Sequence, residues 1–245
     1  WATYDISSGG WSAERIAETG IEASWLPEVQ PNATPIGQIL PRVAAEVGLP
    51  ADTLIVTGAF DTYAAAVGSA AVDPGVISLA AGTWHSFNTP VVVGWPVELV
   101  HDNLNVFPHP GPTGFGILAT NPNGMSVVDW ARTLVHLSIA DLDMGLAKAG
   151  QGPGHVFADP GFTPLPHVAA TPGFGGSLSG LTLATTPVDI VRAVLEGIAC
   201  RFSLTLDLFR RHGIQPMLIR ATGGGAKSAW WMQLKADLTG PPVEV

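Results

Sequence analysis

Apolar positions in this chain fall into two patterns. Short apolar runs bounded by Gly, Pro, Asn or Asp predict buried strands at Leu54–Val56, Val76–Ala81, Ser86–Val93, Gly116–Ala119 and Met217–Arg220. Stretches with helical spacing predict helices over Ser12–Thr19, Gly37–Val47, Asp61–Gly68, Ser126–Leu137, Pro187–His212 and Ser228–Leu238. The clearest is Pro187–His212, where Val191, Val194, Leu195, Ile198, Phe202, Leu206 and Phe209 recur at helical steps as a core stripe. Thr186 is placed to cap it, Pro187 suits its first position, and Arg210, Arg211 and His212 suit its negative end before Gly213. Strands alternating with helices argue for an α/β protein. Residues 150–180 have no helical period and read as packed irregular chain with one or two short strands.

Composition narrows the class. The 245 residues are 47% hydrophobic and only 13% charged, against an average near 25% charged, which excludes intrinsic disorder. The net charge is −9 and the only lysines are Lys148, Lys227 and Lys235, so no basic stripe exists for nucleic acid or an anionic membrane. Backbone amides can still bind a phosphate-bearing ligand. A single cysteine, Cys200, excludes an internal disulfide and any cysteine-based metal site, which fits the cytoplasm. No targeting segment is recognisable, and the apolar run from Val91 is broken by Gly94 and Pro96, so no membrane span is expected. The chain opens on Trp1 and stops at Val245 in mid-pattern, as a fragment would.

Three segments carry candidate chemistry. Thr222-Gly223-Gly224-Gly225-Ala226-Lys227-Ser228 runs from a strand through glycines into a helix, the recipe for an anion site; the plainer reading is a tight turn with Ser228 as N-cap. It is neither a Walker A loop nor G-x-G-x-x-G. Asp61 follows the strand at Leu54–Val56 and begins a helix, where it either accepts a proton from a substrate hydroxyl or serves as a cap. Gly82-Thr83 after the next strand offers amides and a hydroxyl to phosphate, or forms an ordinary hairpin turn. The seven histidines show no metal spacing and read as surface or satisfied core residues, His85 after Trp84 being the hardest to dismiss. Leu178 in Gly176-Ser177-Leu178-Ser179-Gly180 occupies the position of a nucleophile elbow, so a serine hydrolase is not expected.

In this order the segments resemble the FGGY family of carbohydrate kinases. Trp11, Gly20-Ile21, Leu26-Pro27-Glu28-Val29 and Ile36-Gly37 resemble the end of that family's first domain. The segment Thr57 to Gly68 looks like the one that carries its catalytic Asp. Gly82-Thr83 is similar to its second phosphate motif, and Asn123-Gly124 with Trp130 to the segment after it. Arg192 to Ala199 resembles its long helix; Gly223-Gly224-Gly225-Ala226, with Ser228, Trp231, Gln233, Ala236-Asp237 and Pro242-Val243, resembles its adenosine-site signature.

The resemblance implies two actin-like, ribonuclease H-like domains, of which residues 1–70 would be the tail of the first, sugar-binding one. Residues 71–245 would be most of the nucleotide-binding second. It implies ATP and Mg2+ as cofactors and transfer of phosphate to a hydroxyl of a ketose, a pentulose foremost, or of a polyol. Asp61 would be the catalytic base and, with Thr62, a substrate contact; Gly82, Thr83, Gly223, Gly224, Gly225, Ala226 and Ser228 would bind ATP, and no residue here is expected to ligate a metal. The family's Asp-x-Gly-Thr motif is absent, and Thr62 stands where many members have Gln or Asn. Trp84 is more like the branches acting on pentuloses, deoxy-ketoses or tetritols. Alone, these residues would be poorly active or inactive, and apolar surface left by an absent domain is compatible with a homo-oligomer. The alternative is a non-catalytic actin-like nucleotide-binding module, for which the Asp61 carboxylate would be dispensable.

Overall fold

The structure, a computed structural model, describes residues 3–91, 99, 101–102, 104–109, 114–162 and 175–245. Its contacts divide it into two units, 1–64 and 65–245, each described here by itself.

In the first unit β1 (Tyr4–Asp5) pairs with β2 (Gly10–Trp11), and helix α1 (Ala13–Thr19) follows. Ser12 caps α1 by accepting from the Arg15 amide, and Gly20 closes it in the left-handed conformation. The expected helix over Gly37–Val47 is a strand followed by a shorter helix: β3 (Pro35–Gln38) and α2 (Pro41–Val47). Proline at the first helical position explains the late start, because the residue before a proline is pushed out of the helical region; Leu40 is extended at φ −62 and ψ 132. Strand β4 (Leu54–Val56) forms as expected but is not buried: Leu54, Ile55 and Val56 are 40–56% exposed, since β4 pairs only with β3. Helix α3 (Asp61–Gly68) runs across the division.

The second unit is built on a six-stranded mixed sheet. Its order is β12 (Val243–Glu244), β11 (Leu218–Thr222), β5 (Val76–Ala81), β6 (His85–Val91), β8 (Phe115–Asn121) and β7 (Asn105–Pro108). β12, β11 and β5 are parallel, and β5, β6, β8 and β7 are antiparallel neighbours. The expected continuation of β6 to Val93 lies outside the described residues. Strands β7 and β12, and a helix over Ile139–Ala149, were not expected from the pattern. That helix, α5, has Ser138 as its cap and buries only Leu142 and Leu146. α4 (Met125–Leu134) precedes it. Within 150–180 the short strands are β9 (Phe157–Asp159) and β10 (Ser177–Ser179); the part over 163–174 lies outside the described residues.

Helix α6 (Pro187–Arg211) carries the core stripe as expected, with Val191, Val194, Ile198, Phe202, Leu206 and Phe209 fully buried. Phe202 stacks on Phe87 of β6 with ring centroids 5.3 Å apart, joining helix to sheet. At its start Thr186 accepts from the Asp189 amide and Asp189 accepts from the Thr186 amide, a reciprocal cap that contributes about 1 kcal/mol. Helix α7 (Ala229–Thr239) begins behind Ser228, whose hydroxyl accepts from the Trp231 amide. No helix among the described residues is long and apolar enough to cross a membrane.

Candidate active site

The parallel register of β5 and β11 pairs Ala80 with Thr222, so the two turns after these strands emerge side by side at their carboxyl ends. Open α/β sheets place ligands at that edge. Gly82-Thr83 leaves β5, and Gly223-Gly224-Gly225 leaves β11 into a short 3-10 turn over Gly224–Lys227. Gly223 has φ +90, and a Cβ there would lie 3.0 Å from the Ala81 carbonyl oxygen, so both conformation and space require glycine. Gly223 and Gly224 are exposed, whereas Gly225 and Ala226 are buried and Ser228 is half-buried.

A third segment closes on the first two. The Gly82 carbonyl accepts from the Met125 amide at 2.9 Å, and the Ser126 hydroxyl donates to the Thr83 carbonyl at 3.0 Å. The start of α4 thereby ties down the carbonyl side of the Gly82-Thr83 turn. Met125 also reaches the glycine loop, its Sδ lying 3.2 Å from where a Cβ of Gly225 would be. Two glycine turns thus lie side by side with the start of α4 closing on them, and flexible glycines let backbone amides approach an anionic ligand.

Beneath the loop lies Trp231, fully buried, its Nε1 donating to the Leu195 carbonyl at 2.9 Å. The space for a Gly225 Cβ is 2.9 Å from its ring, so the indole is the floor of the glycine loop. Two basic side chains flank that indole. The Lys235 Nζ is 3.1 Å from the ring centroid, and the His85 ring is 5.2 Å away. Both residues are 0% exposed, and neither the Lys235 amine nor either His85 ring nitrogen has a hydrogen-bond partner among the described residues. His85 is therefore a core residue but not a satisfied one. The rings packed against it, Phe87 and Trp231, are aromatic. Burial, and secondarily the Lys235 charge, push its pKa down to about 3. Burial likewise pushes Lys235 well below its ordinary 10.5. Lysine in a helical core stripe has no sequence signature that separates it from a surface lysine, which is why this pair was not foreseen.

The sign of the resulting pH dependence is fixed. A lysine whose folded pKa is depressed binds fewer protons in the folded state than in the unfolded one, so stability rises with pH up to the unfolded value near 10.5. Lys235→Met keeps the apolar stem on Trp231 and removes the amine. Chemical denaturation at several alkaline pH values is expected to show a more stable variant whose stability no longer climbs with pH over that range. A variant with the wild-type slope would show that the amine is not the titrating group.

Asp61 and Thr62 belong to the first unit. Asp61 is exposed at the first residue of α3, and its Oδ1 accepts from the Thr62 amide at 2.7 Å. The chain leading to it is pinned at Thr57, whose backbone pairs with Ala33 and Thr34 and whose hydroxyl donates to the Pro31 carbonyl. Among the described residues no group of three His, Cys, Asp or Glu is placed to hold a metal ion.

A family model for the C-terminal domain of the FGGY family of carbohydrate kinases matches residues 77–245, and one for the N-terminal domain matches residues 2–68. The chain belongs to that family. Xylulose kinase of Escherichia coli strain K12 is 29% identical over 252 residues, covering 98% of this chain and 49% of that protein. Glycerol kinase of Allorhizobium ampelinum is 30% identical over 249 residues, covering 98% of this chain and 48% of that protein. Among solved structures, a xyloylose kinase from Brucella ovis matches with a TM-score of 0.81 at 26% identity, over 96% of this chain and 48% of that one. Plasmodium falciparum glycerol kinase with ADP matches with a TM-score of 0.81 at 22% identity over 99% of this chain and 49% of that one, a likeness of fold alone. The fold is the actin-like, ribonuclease H-like α/β fold of these kinases. The chain spans about half the length of the curated relatives it matches.

Proposed function

We propose that the protein to which these residues belong transfers the γ-phosphate of ATP to a hydroxyl of a ketose, a pentulose foremost, or of a polyol. The observation that carries this reading is the side-by-side emergence of the Gly82-Thr83 and Gly223–Gly225 turns at the carboxyl ends of parallel neighbours. Family membership and the names of the xylulose and glycerol kinase relatives support it. In this reading residues 1–70 are the end of the sugar-binding domain and residues 71–245 belong to the nucleotide-binding domain.

Each residue then has a task. The amides of Gly82 and Thr83 and the Thr83 hydroxyl hold the β- and γ-phosphates. The exposed Gly223 and Gly224 lie against the α-phosphate and ribose, while the buried Gly225 and Ala226 let the loop sit on Trp231 and Ser228 starts the helix behind it. Asp61 orients the acceptor hydroxyl, beside Thr62, and takes its proton as the oxygen attacks the γ-phosphorus and the bond to the β-phosphate oxygen breaks, releasing ADP. Magnesium would arrive with ATP and would neutralise phosphate charge; among the described residues no group of three His, Cys, Asp or Glu is placed to hold it.

Gly224 offers a clean test. A Cβ there meets nothing within 4 Å and its φ is not in the left-handed region, so Gly224→Asp adds a carboxylate without distorting the loop. Calorimetric titration is expected to show MgATP binding in the wild type and at least a tenfold loss in the variant, with unfolding unchanged. Equal affinity in both would place the nucleotide elsewhere.

A further inference from the structure

Past the strand ends, no hydrogen bond among the described residues joins the Gly82-Thr83 turn to the Gly223–Gly225 turn. Side-chain packing joins them instead. On the α4 side Met125 meets both, its amide bonded to Gly82 and its Sδ beside Gly225, but a methionine chain is flexible and fixes no spacing. Beneath the turns the link is a pair of buried rings. His85 opens β6 just after the Gly82-Thr83 turn, and its ring centroid lies 5.2 Å from that of Trp231, the floor of Gly225. The indole is held in place: its Nε1 donates to the Leu195 carbonyl at 2.9 Å, and the Lys235 Nζ packs 3.1 Å from the ring centroid. The imidazole is backed by Phe87, edge to face at 6.0 Å, and Phe87 in turn stacks on Phe202 of α6. The His85 backbone pairs on one side with Ala81, the residue before Gly82, and on the other with Asn121, the end of β8 on the way to Gly124. All three segments of the site therefore meet at His85.

We propose that His85 is a positioning residue of the nucleotide site: its ring, seated against Trp231, holds the glycine loop and the Gly82-Thr83 turn at the separation that lets one triphosphate chain span both. This rests on the nucleotide-site reading above and adds what sets the distance between its two halves. The argument is one of effective concentration. A ligand with two anchoring groups binds more tightly than either group alone only where both subsites stand at the span of its linker. Where that spacing wanders, the gain is lost although each subsite is intact. A flat ring fully enclosed by close-packed neighbours cannot wander as a methionine can. The ring's contact and not its nitrogens is what acts, since neither nitrogen has a hydrogen-bond partner among the described residues.

The test titrates the complete protein that carries this chain with three ligands. MgATP engages both turns; AMP engages only the glycine loop, and pyrophosphate only Gly82-Thr83. His85→Ala and His85→Val both remove the ring, the second leaving less empty space and suiting a strand, while His85→Phe keeps a ring against Trp231. In the two ringless variants ATP is expected to bind at least tenfold more weakly, with AMP and pyrophosphate within threefold of wild type. His85→Phe is expected to hold ATP within threefold. ATP affinity within twofold of wild type in the ringless variants would overturn the proposal, even where Gly224→Asp abolishes binding and the nucleotide site stands. A parallel loss of all three ligands would also overturn it, because His85 would then only support the local fold. So would a loss in His85→Phe equal to that in His85→Ala, which would assign the effect to the nitrogens. A wild type that does not bind ATP would overturn the nucleotide site together with the proposal.

Discussion

Asp61→Asn is expected to lower kcat for sugar or polyol phosphorylation by about 10²–10⁴-fold in the protein that carries this chain, with little change in folding stability. The substitution is isosteric, and an Asn carbonyl can still accept from the Thr62 amide as Asp61 does at 2.7 Å. Asp61 is exposed and has no ion-pair partner among the described residues, so losing its charge breaks no ion pair. The remaining structural effect is the favourable placement of a carboxylate at a helix start, worth a few tenths to about 1 kcal/mol. A large fall in kcat with a small fall in stability therefore separates a proton acceptor from a cap, the two roles the sequence leaves open for this residue. Unchanged turnover would assign Asp61 to the cap.

The second large effect is expected at Gly124. Its φ of −114 makes no demand for glycine; its surroundings do. A Cβ there would lie 2.6 Å from the Thr83 carbonyl oxygen, 2.8 Å from that of Gly82 and 3.0 Å from the Trp84 carbonyl carbon. All three are backbone atoms, so no rotamer change can make room. Gly124→Ala must push the Gly82–Trp84 turn away from α4, breaking the bonds from Met125 and Ser126 that hold it. Denaturation is expected to show a loss of about 1–3 kcal/mol. Titration is expected to show at least a tenfold weaker affinity for ATP and for triphosphate alike. Gly152→Ala, where the new methyl group meets nothing within 4 Å and which lies outside both glycine turns, is the matched control and should leave both quantities near wild type.

Local signals accounted for much of the fold. The stripe on Pro187–Arg211 and its Thr186–Asp189 cap are readable because helical spacing and capping chemistry lie within a few residues of each other. The same holds for the strand, glycine turn and Ser228-capped helix at Leu218–Thr239. Missed elements had weak local signals. Ile139–Ala149 buries only Leu142 and Leu146, too thin a stripe to stand out. The apolar spacing over Gly37–Val47 runs through Pro41, which in fact begins the helix. β4 looked buried because its three residues are apolar, and apolar residues in a two-stranded hairpin stay exposed.

For the site, sequence identified the pieces but not what joins them. That Gly82 and Gly223 are neighbours follows from the register of β5 with β11, and nothing in either segment encodes that register. The close approach at Gly124 and the Trp231 floor beneath Gly225 are likewise long-range facts. Lys235 and His85 are the sharpest miss. Two basic residues in a charge-poor chain lie in the core next to the glycine loop with no hydrogen-bond partner among the described residues. Perturbed groups of this kind cluster near functional sites, at a cost to stability.

The most direct test of the account is to follow the γ-phosphate itself. The complete protein would be incubated with γ-labelled ATP and, separately, a pentulose and a polyol such as glycerol. The account predicts label in a phosphate ester of one of these acceptors, in step with ADP release. ADP and free phosphate with no labelled ester from any ketose or polyol, or no release of ADP at all, would contradict it.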